Sequence, residues 1–213
     1  DGSFSYNNFY VDAPLVGSFP EQSLAVWTWE GVNITVESEG PDQRGDSIQK
    51  RVIGRFADNY DVVFNDDGSG EAADVIALRQ LDNGTVLLHL IHCKYSASPD
   101  PGARVEDLYE LCGQAQKSAR WKHRGLHDLV LHMKHREAKW RDAGNSRFRK
   151  GDASVLSRLL KVSQYSSLAF EATVVQPGLS KRLVSQDMRS LLGSTDLYLK
   201  KTADATLHVV CSI

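Results

Sequence analysis

The chain has 213 residues, 41% of them hydrophobic and 24% charged, with a formal net charge of −2. This is ordinary globular composition, enough for one sizeable core or a domain with an insertion. No secretory segment and no apolar run of about 18 residues is present, which excludes a spanning helix and predicts a soluble piece with no membrane partner. The three cysteines, Cys93, Cys112 and Cys211, are widely spaced in apolar surroundings. They fit a reduced, cytoplasmic compartment better than a disulfide framework. The chain begins at Asp1 and ends in a strand-like run, so it reads as a domain of a larger protein whose other domains are partners.

Residues 24–30 and 32–37 alternate apolar and polar positions on either side of Gly31, which predicts two strands arranged as a hairpin. Trp27 and Trp29 would share one strand face, there to pack on the domain or to stack on a base. Residues 38–45 are polar and carry Gly and Pro, so they read as a linker. Residues 1–44 are therefore an N-terminal β extension and 45–213 the core. Residues 46–60 predict a helix, with Ile48, Val52 and Phe56 recurring every fourth position and Ile53 beside them. Asp46 or Ser47 can cap it. Gln49 borders the apolar stripe and should face the sheet.

Residues 60–64, 73–78 and 86–94 read as three strands. Asn83-Gly84 predicts a type I′ hairpin between the last two, because that turn needs φ > 0 at both central residues. Leu88, Leu90, His92 and Lys94 share one strand face; His89, Ile91 and Cys93 share the other. A strand apolar on both faces is central and covered on both sides. Its polar tip, His92-Cys93-Lys94, should therefore reach a cleft. Asp74 begins the paired strand, so a carboxylate, an imidazole and an ammonium converge at one edge.

Residues 96–102 form a loop with two prolines, and 105–120 a helix burying Val105, Leu108, Leu111, Cys112 and Ala115. Gln114, Gln116 and Lys117 could approach the cleft from it. Residues 117–150 carry eleven Lys/Arg against three Asp/Glu, a local excess of +8. Charge this segregated predicts a basic helical insertion that meets a polyanion. Lys117, Arg120, Lys122, Arg124, Lys134 and Arg136 are the nucleic-acid candidates. His123 and His127 have helical metal-pair spacing, but Gly125 interrupts them and no Cys is near, which favours phosphate contact or plain surface over zinc. A helix over 151–163 with Asp152 near its cap, a strand over 167–176 ended by Pro177-Gly178, a helix over 186–199 and a strand over 207–213 complete the chain. Strand, helix and strand fit a right-handed crossover that extends the sheet in parallel.

The run Gly68-Ser-Gly70-Glu71-Ala-Ala-Asp74, followed by His92-Cys93-Lys94, resembles the PD-(D/E)xK nuclease superfamily. The nearest sub-pattern is the Mrr type, in which a Gly-rich loop and Asp precede Gln-x-Lys. Here His stands for that Gln, and Gln49 sits where the first-helix Glu is expected. The resemblance covers about residues 45–120, and more loosely 166–213. It implies an α/β fold, a restriction-endonuclease-like mixed sheet flanked by helices. It also implies an endonuclease using Mg²⁺ or Mn²⁺ on DNA (RNA stays open) within a DNA-processing, restriction or phage-defence protein. The implied catalytic residues are Asp74, His92, Lys94 and Gln49, with Asp74 and His92 on the metal and Glu71 and Gln116 in support. Asp66 and Asp67 read as turn residues. Gln49 and His92 both replace family acids, so such a site is charge-poor and should prefer Mn²⁺ to Mg²⁺. The same replacements leave open a module that has lost catalysis and docks nucleic acid, or an interaction domain whose basic arm binds acidic protein.

Overall fold

The computed structural model describes residues 17–142 and 144–213, together with the backbone of two short paired strands, β1 (Phe4–Tyr6) and β2 (Phe9–Val11). The elements that follow are β3 (Leu24–Val26), α1 (Ile48–Ala57), β4 (Val62–Asn65), β5 (Val75–Gln80) and β6 (Val86–Cys93). After them come α2 (Glu106–Ser118), α3 (Arg120–Arg141), β7 (Phe148–Lys150), α4 (Ala153–Ser163), β8 (Leu168–Ser180), α5 (Gln186–Ala203) and β9 (Thr206–Ser212). Seven strands form one mixed sheet in the order β3-β9-β8-β6-β5-β4-β7. β3, β9, β8 and β6 run parallel; β5, β4 and β7 are each antiparallel to the strand before them in that order.

β6 is central, and all eight of its residues are buried. Its even-numbered residues Leu88 and Leu90 join Phe64, Ile76 and Leu78 in a core closed by α2, α3, α4 and α5. Its odd-numbered residues Leu87, Ile91 and Cys93 pack with Val63, Val75 and Ala77 beneath Ile48, Val52 and Ile53 of α1. This is the architecture expected of an α/β sheet covered on both faces. α1 begins where expected because the Ser47 hydroxyl accepts the Lys50 N–H at 3.1 Å.

The structure departs from the sequence reading at four places. Residues 32–37 form no strand: Ile48 N–H donates to the Val36 carbonyl and Gln49 N–H to that of Glu37, so the segment satisfies the open first turn of α1 instead. The hairpin after β5 forms, but of its turn residues only Gly84 has positive φ, at 82°. It is a three-residue loop closed by Leu81 N–H to Thr85 O, the type I turn with a terminal left-handed Gly. β8 runs through Pro177-Gly178 with a register shift rather than ending there. The basic segment is no arm: Trp121, Leu126, Leu129, Val130 and Met133 of α3 enter the core, and β7 joins the sheet beside β4. Among the described residues, no helix is long and apolar enough to cross a membrane.

His89, on the α1 side of β6, is 4% exposed. Its ring nitrogens are bonded at 2.6 Å to the Tyr60 hydroxyl and to Thr173 Oγ1. Burial holds its pKa down at about 3, although Glu171 lies 3.4 Å away. The unfolded chain therefore binds a proton that the native one refuses between pH 6.5 and 3. This contribution to stability is complete above pH 6.5 and is lost as pH falls through that window, about 2 kcal/mol by pH 5. Replacing His89 with Gln, which does not titrate, should shrink the difference in urea midpoint between pH 7.5 and pH 5 relative to wild type; equal differences would contradict the assignment.

Candidate functional site

The C-terminal ends of β4 and β6 and the N-terminal end of β5 meet at one edge of the sheet. The loop between β4 and β5 crosses that edge, and its shape is fixed from below. Asp66 is fully buried and pairs with Arg136 at 2.5 Å and His132 at 2.8 Å, while one of its oxygens accepts the Ala72 N–H at 2.7 Å. The Arg136 guanidinium also donates to the carbonyls of Asp66, Asp67, Gly68 and Ser69. Arg147 adds bonds to the carbonyls of Asn65 (2.9 Å) and Asp67 (3.1 Å) while stacked 4.2 Å from the Trp140 ring. The turn carbonyls thus bind guanidinium donors, and the loop's remaining acids point elsewhere.

Those acids are Asp67, Glu71 and Asp74, whose nearest oxygens all lie within 4.8 Å of one another. Asp74 is 2% exposed. Its two partners are neutral: Gln49 Nε2–H donates to Oδ1 at 2.9 Å, and the Cys93 backbone N–H donates to Oδ2 at 2.9 Å. Gln49 is itself held, its Oε1 accepting the Glu39 N–H at 3.1 Å. Burial first, and repulsion from Glu71 second, hold the Asp74 carboxyl well above the usual carboxylate range. Glu71 is raised too, by burial against the pull of the Gly68 N–H. Glu37 borders the group and is likewise raised by burial; Lys94 lowers its pKa and Asp67 opposes that. Three carboxylates gathered this closely could hold a metal ion.

Gln49 and Asp74 meet directly, but His92 stands apart from the acid group. It lines a small hollow with Glu71, Gln114, Lys117 and Arg120 on the α2 side. It is 2% exposed, burial lowers its pKa to about 3, and neither ring nitrogen has a hydrogen-bond partner. Lys94 forms a 2.7 Å ion pair with Glu110 of α2; burial opposes its charge, but that pair and Glu37 outweigh it and raise its pKa. Gln116 turns from the cleft to donate to Thr195 Oγ1 at 3.1 Å.

Of the basic candidates, Lys117, Arg120 and Lys134 are exposed. Arg124 is exposed beside Asp128 at 3.9 Å, and Lys122 is half-buried with its amine on the Leu168 carbonyl. Arg136 is committed to the acidic loop, so it is an internal strut rather than a nucleic-acid contact. His123 reaches the Thr202 carbonyl at 2.7 Å and His127 is exposed, with Gly125 at a non-helical φ of 79° between them. They do not form the one-face pair of an unbroken helix.

Asp67 and Glu37 escape the sequence reading. Asp67 looks like a turn residue, yet it lies only two positions beyond the end of β4, at the edge where Asp74 precedes the antiparallel β5, and that proximity was the available signal. Glu37 lay in an expected strand and carried none. Comparison with known protein families, curated proteins and solved structures finds no match to this chain.

The buried pair gives a direct test of the loop's support. Arg136→Ala should cost about 3–5 kcal/mol by stranding Asp66 without its cation. Arg120→Ala, at an exposed position, should stay within about 0.5 kcal/mol of wild type. Urea unfolding of the two variants measures the contrast; equal midpoints would remove Arg136 from this role.

Proposed function

We propose that the chain is a divalent-metal-dependent phosphodiesterase of the restriction-endonuclease-like kind, acting on DNA. The observation that carries this reading is the convergence of Asp67, Glu71 and Asp74, with Asp74 buried on neutral donors alone. The order of elements supports it: helix α1, the antiparallel run β4-β5-β6, helix α2, then β8 and β9 in parallel around α5.

A bound divalent ion would lower the pKa of a water and offset charge on the phosphorus centre. The chain's own residues supply the rest. Gln49 and the Cys93 N–H orient the Asp74 carboxylate, as outer partners orient metal ligands generally. Glu71 and Asp67 supply the other oxygens. Lys94 steers a nucleophilic water or faces the phosphate once it exchanges Glu110 for the substrate. Lys117 and Arg120 offer positive charge beside Glu71, where a phosphate backbone would lie. Because three carboxylates, rather than Asp74 and an imidazole, form the group, the site is not charge-poor. Mg²⁺ should therefore serve as well as Mn²⁺.

A second reading, a nucleic-acid docking module without catalysis, is favoured by one observation: the ion pair with Glu110 engages the Lys94 ammonium, just beyond β6. Cleavage of plasmid DNA across metals separates the two. Asp74→Asn should reduce cleavage at least about 100-fold with its fold intact by circular dichroism, and Lys94→Ala should do the same. Full cleavage by folded Asp74→Asn would refute the assignment. No cleavage with Mg²⁺ or Mn²⁺ by a wild type that still binds DNA would select the docking module.

A further inference from the structure

A hollow lies away from the acid group, between the β3 end of the sheet and the segment that precedes α1. It encloses about 480 Å³. Trp27, Trp29, Val32, Ile34, Pro99 and Pro101 line most of it, with Asn33 supplying an amide. The two indoles lie 5.9 Å apart with their planes 37° from parallel, so they wall the hollow rather than stack closed over it. The Trp29 Nε1–H is buried with no hydrogen-bond partner. An indole-walled hollow suits a flat, mostly apolar group.

A second hollow of about 280 Å³ opens beside it and shares Val32 as a wall. Lys50, Arg51 and Arg55 of α1 line it, and the Lys50 ammonium also lies 3.8 Å from Glu39. The Arg55 guanidinium sits 5.3 Å from the Trp27 ring centroid, over the boundary between the two. One compartment is therefore aromatic and the other cationic, side by side. A nucleotide has the complementary pair of parts, a flat base and an anionic phosphate.

The segment that walls the hollow also leads to the acid edge. The Ile34 carbonyl accepts the Ser96 N–H at 2.7 Å, and the Glu37 carboxylate accepts the Tyr95 N–H at 3.0 Å, so one segment walls both. Ile34 and Glu37 are separated by at most about 10 Å of extended chain. We propose that the tryptophan hollow takes an unpaired nucleobase, with the adjoining phosphate on Lys50, Arg51 and Arg55, so that the strand at the acid group is single-stranded or locally opened. This rests on the nucleic-acid reading above and names its substrate class. A base inside the hollow has left its duplex stack, at an energetic cost that an already unpaired strand avoids.

The test is a binding titration of the 213-residue chain in EDTA, which separates it from catalysis. The probes are a twelve-residue oligothymidylate and a twelve-residue strand of abasic sites with the same phosphates. The oligothymidylate should bind at least about tenfold more tightly. Trp27→Leu should bring the ratio close to one while leaving abasic affinity unchanged. Trp29→Leu, with folding checked by circular dichroism, supplies the same readout should Trp27→Leu unfold. Arg55→Ala should weaken both strands. Asp74→Asn, altered only at the acid group, should keep the wild-type ratio. Wild type that cleaves nothing yet keeps the ratio would refute the hydrolase reading and still support this one. Equal affinities for the two strands, or a ratio undiminished in a folded tryptophan variant, would overturn the proposal. So would a fluorescent dye in the hollow that a leucine-rich peptide displaces and the oligothymidylate does not, since the hollow would then belong to a protein segment.

Discussion

The Asp66–Arg136 pair is the constraint on which the site edge depends. A carboxylate with no exposure tolerates its charge only if it is paired and fully bonded, and Asp66 has a guanidinium, an imidazole and a backbone N–H. The same guanidinium reaches four successive turn carbonyls, so one side chain of α3 sets the path of the chain from β4 to β5. Glu39 plays a similar part on the other side. It is 1% exposed, bonded to Arg149 at 2.5 Å and to Asn65 Nδ2–H at 2.8 Å, and its N–H holds Gln49. Two of the eleven cations of residues 117–150, Arg136 and Arg149, are therefore spent inside the protein on acids that shape the edge.

Asp66 and Glu39 are each paired with an arginine, whereas among the described residues Asp67, Glu71 and Asp74 form no ion pair. Asp74 receives two neutral donors and faces Glu71, so its charge is opposed by burial and by a neighbour at once. Proteins that violate their own packing rules tend to do so where they function, offsetting the cost elsewhere. Here the neighbouring support comes from Asp66, which pairs with Arg136 and precedes Asp67, and from Glu39, which pairs with Arg149 and whose N–H holds Gln49. His92 is a second violation, a buried imidazole with two idle nitrogens beside Glu71 and Lys117.

The β5–β6 hairpin, the parallel β8-α5-β9 unit and the edge where the polar residues gather were legible, because β-period alternation in 86–94 fixes which residues share a face and Asp74 begins the neighbouring strand; that β3 and β7 join the same sheet was not. α1 was legible for the same kind of reason, with an apolar stripe and Ser47 as its cap. What the sequence hid were long-range polar contacts. Nothing local tells Arg136 from Arg120, yet 70 positions away Asp66 claims the first and leaves the second in solvent. Parity also misled at Asp74: lying just outside β5, its side chain escapes strand alternation and turns to Gln49, while His92 obeys alternation and faces α2. Residues 32–37 alternate like a strand, but the open amides of α1 claimed their carbonyls.

The central claim is that the Asp67, Glu71 and Asp74 group is built for a divalent cation, and thermal unfolding with and without metal tests it most directly. A cation bound only by the native state stabilises it by about 2.7 kcal/mol at a hundredfold excess over its dissociation constant. The account predicts that millimolar Mg²⁺ or Mn²⁺ raises the Tm of wild type. Asp74→Asn should show no metal-dependent rise. A wild-type Tm indifferent to both metals, or a rise of equal size in Asp74→Asn, would contradict it.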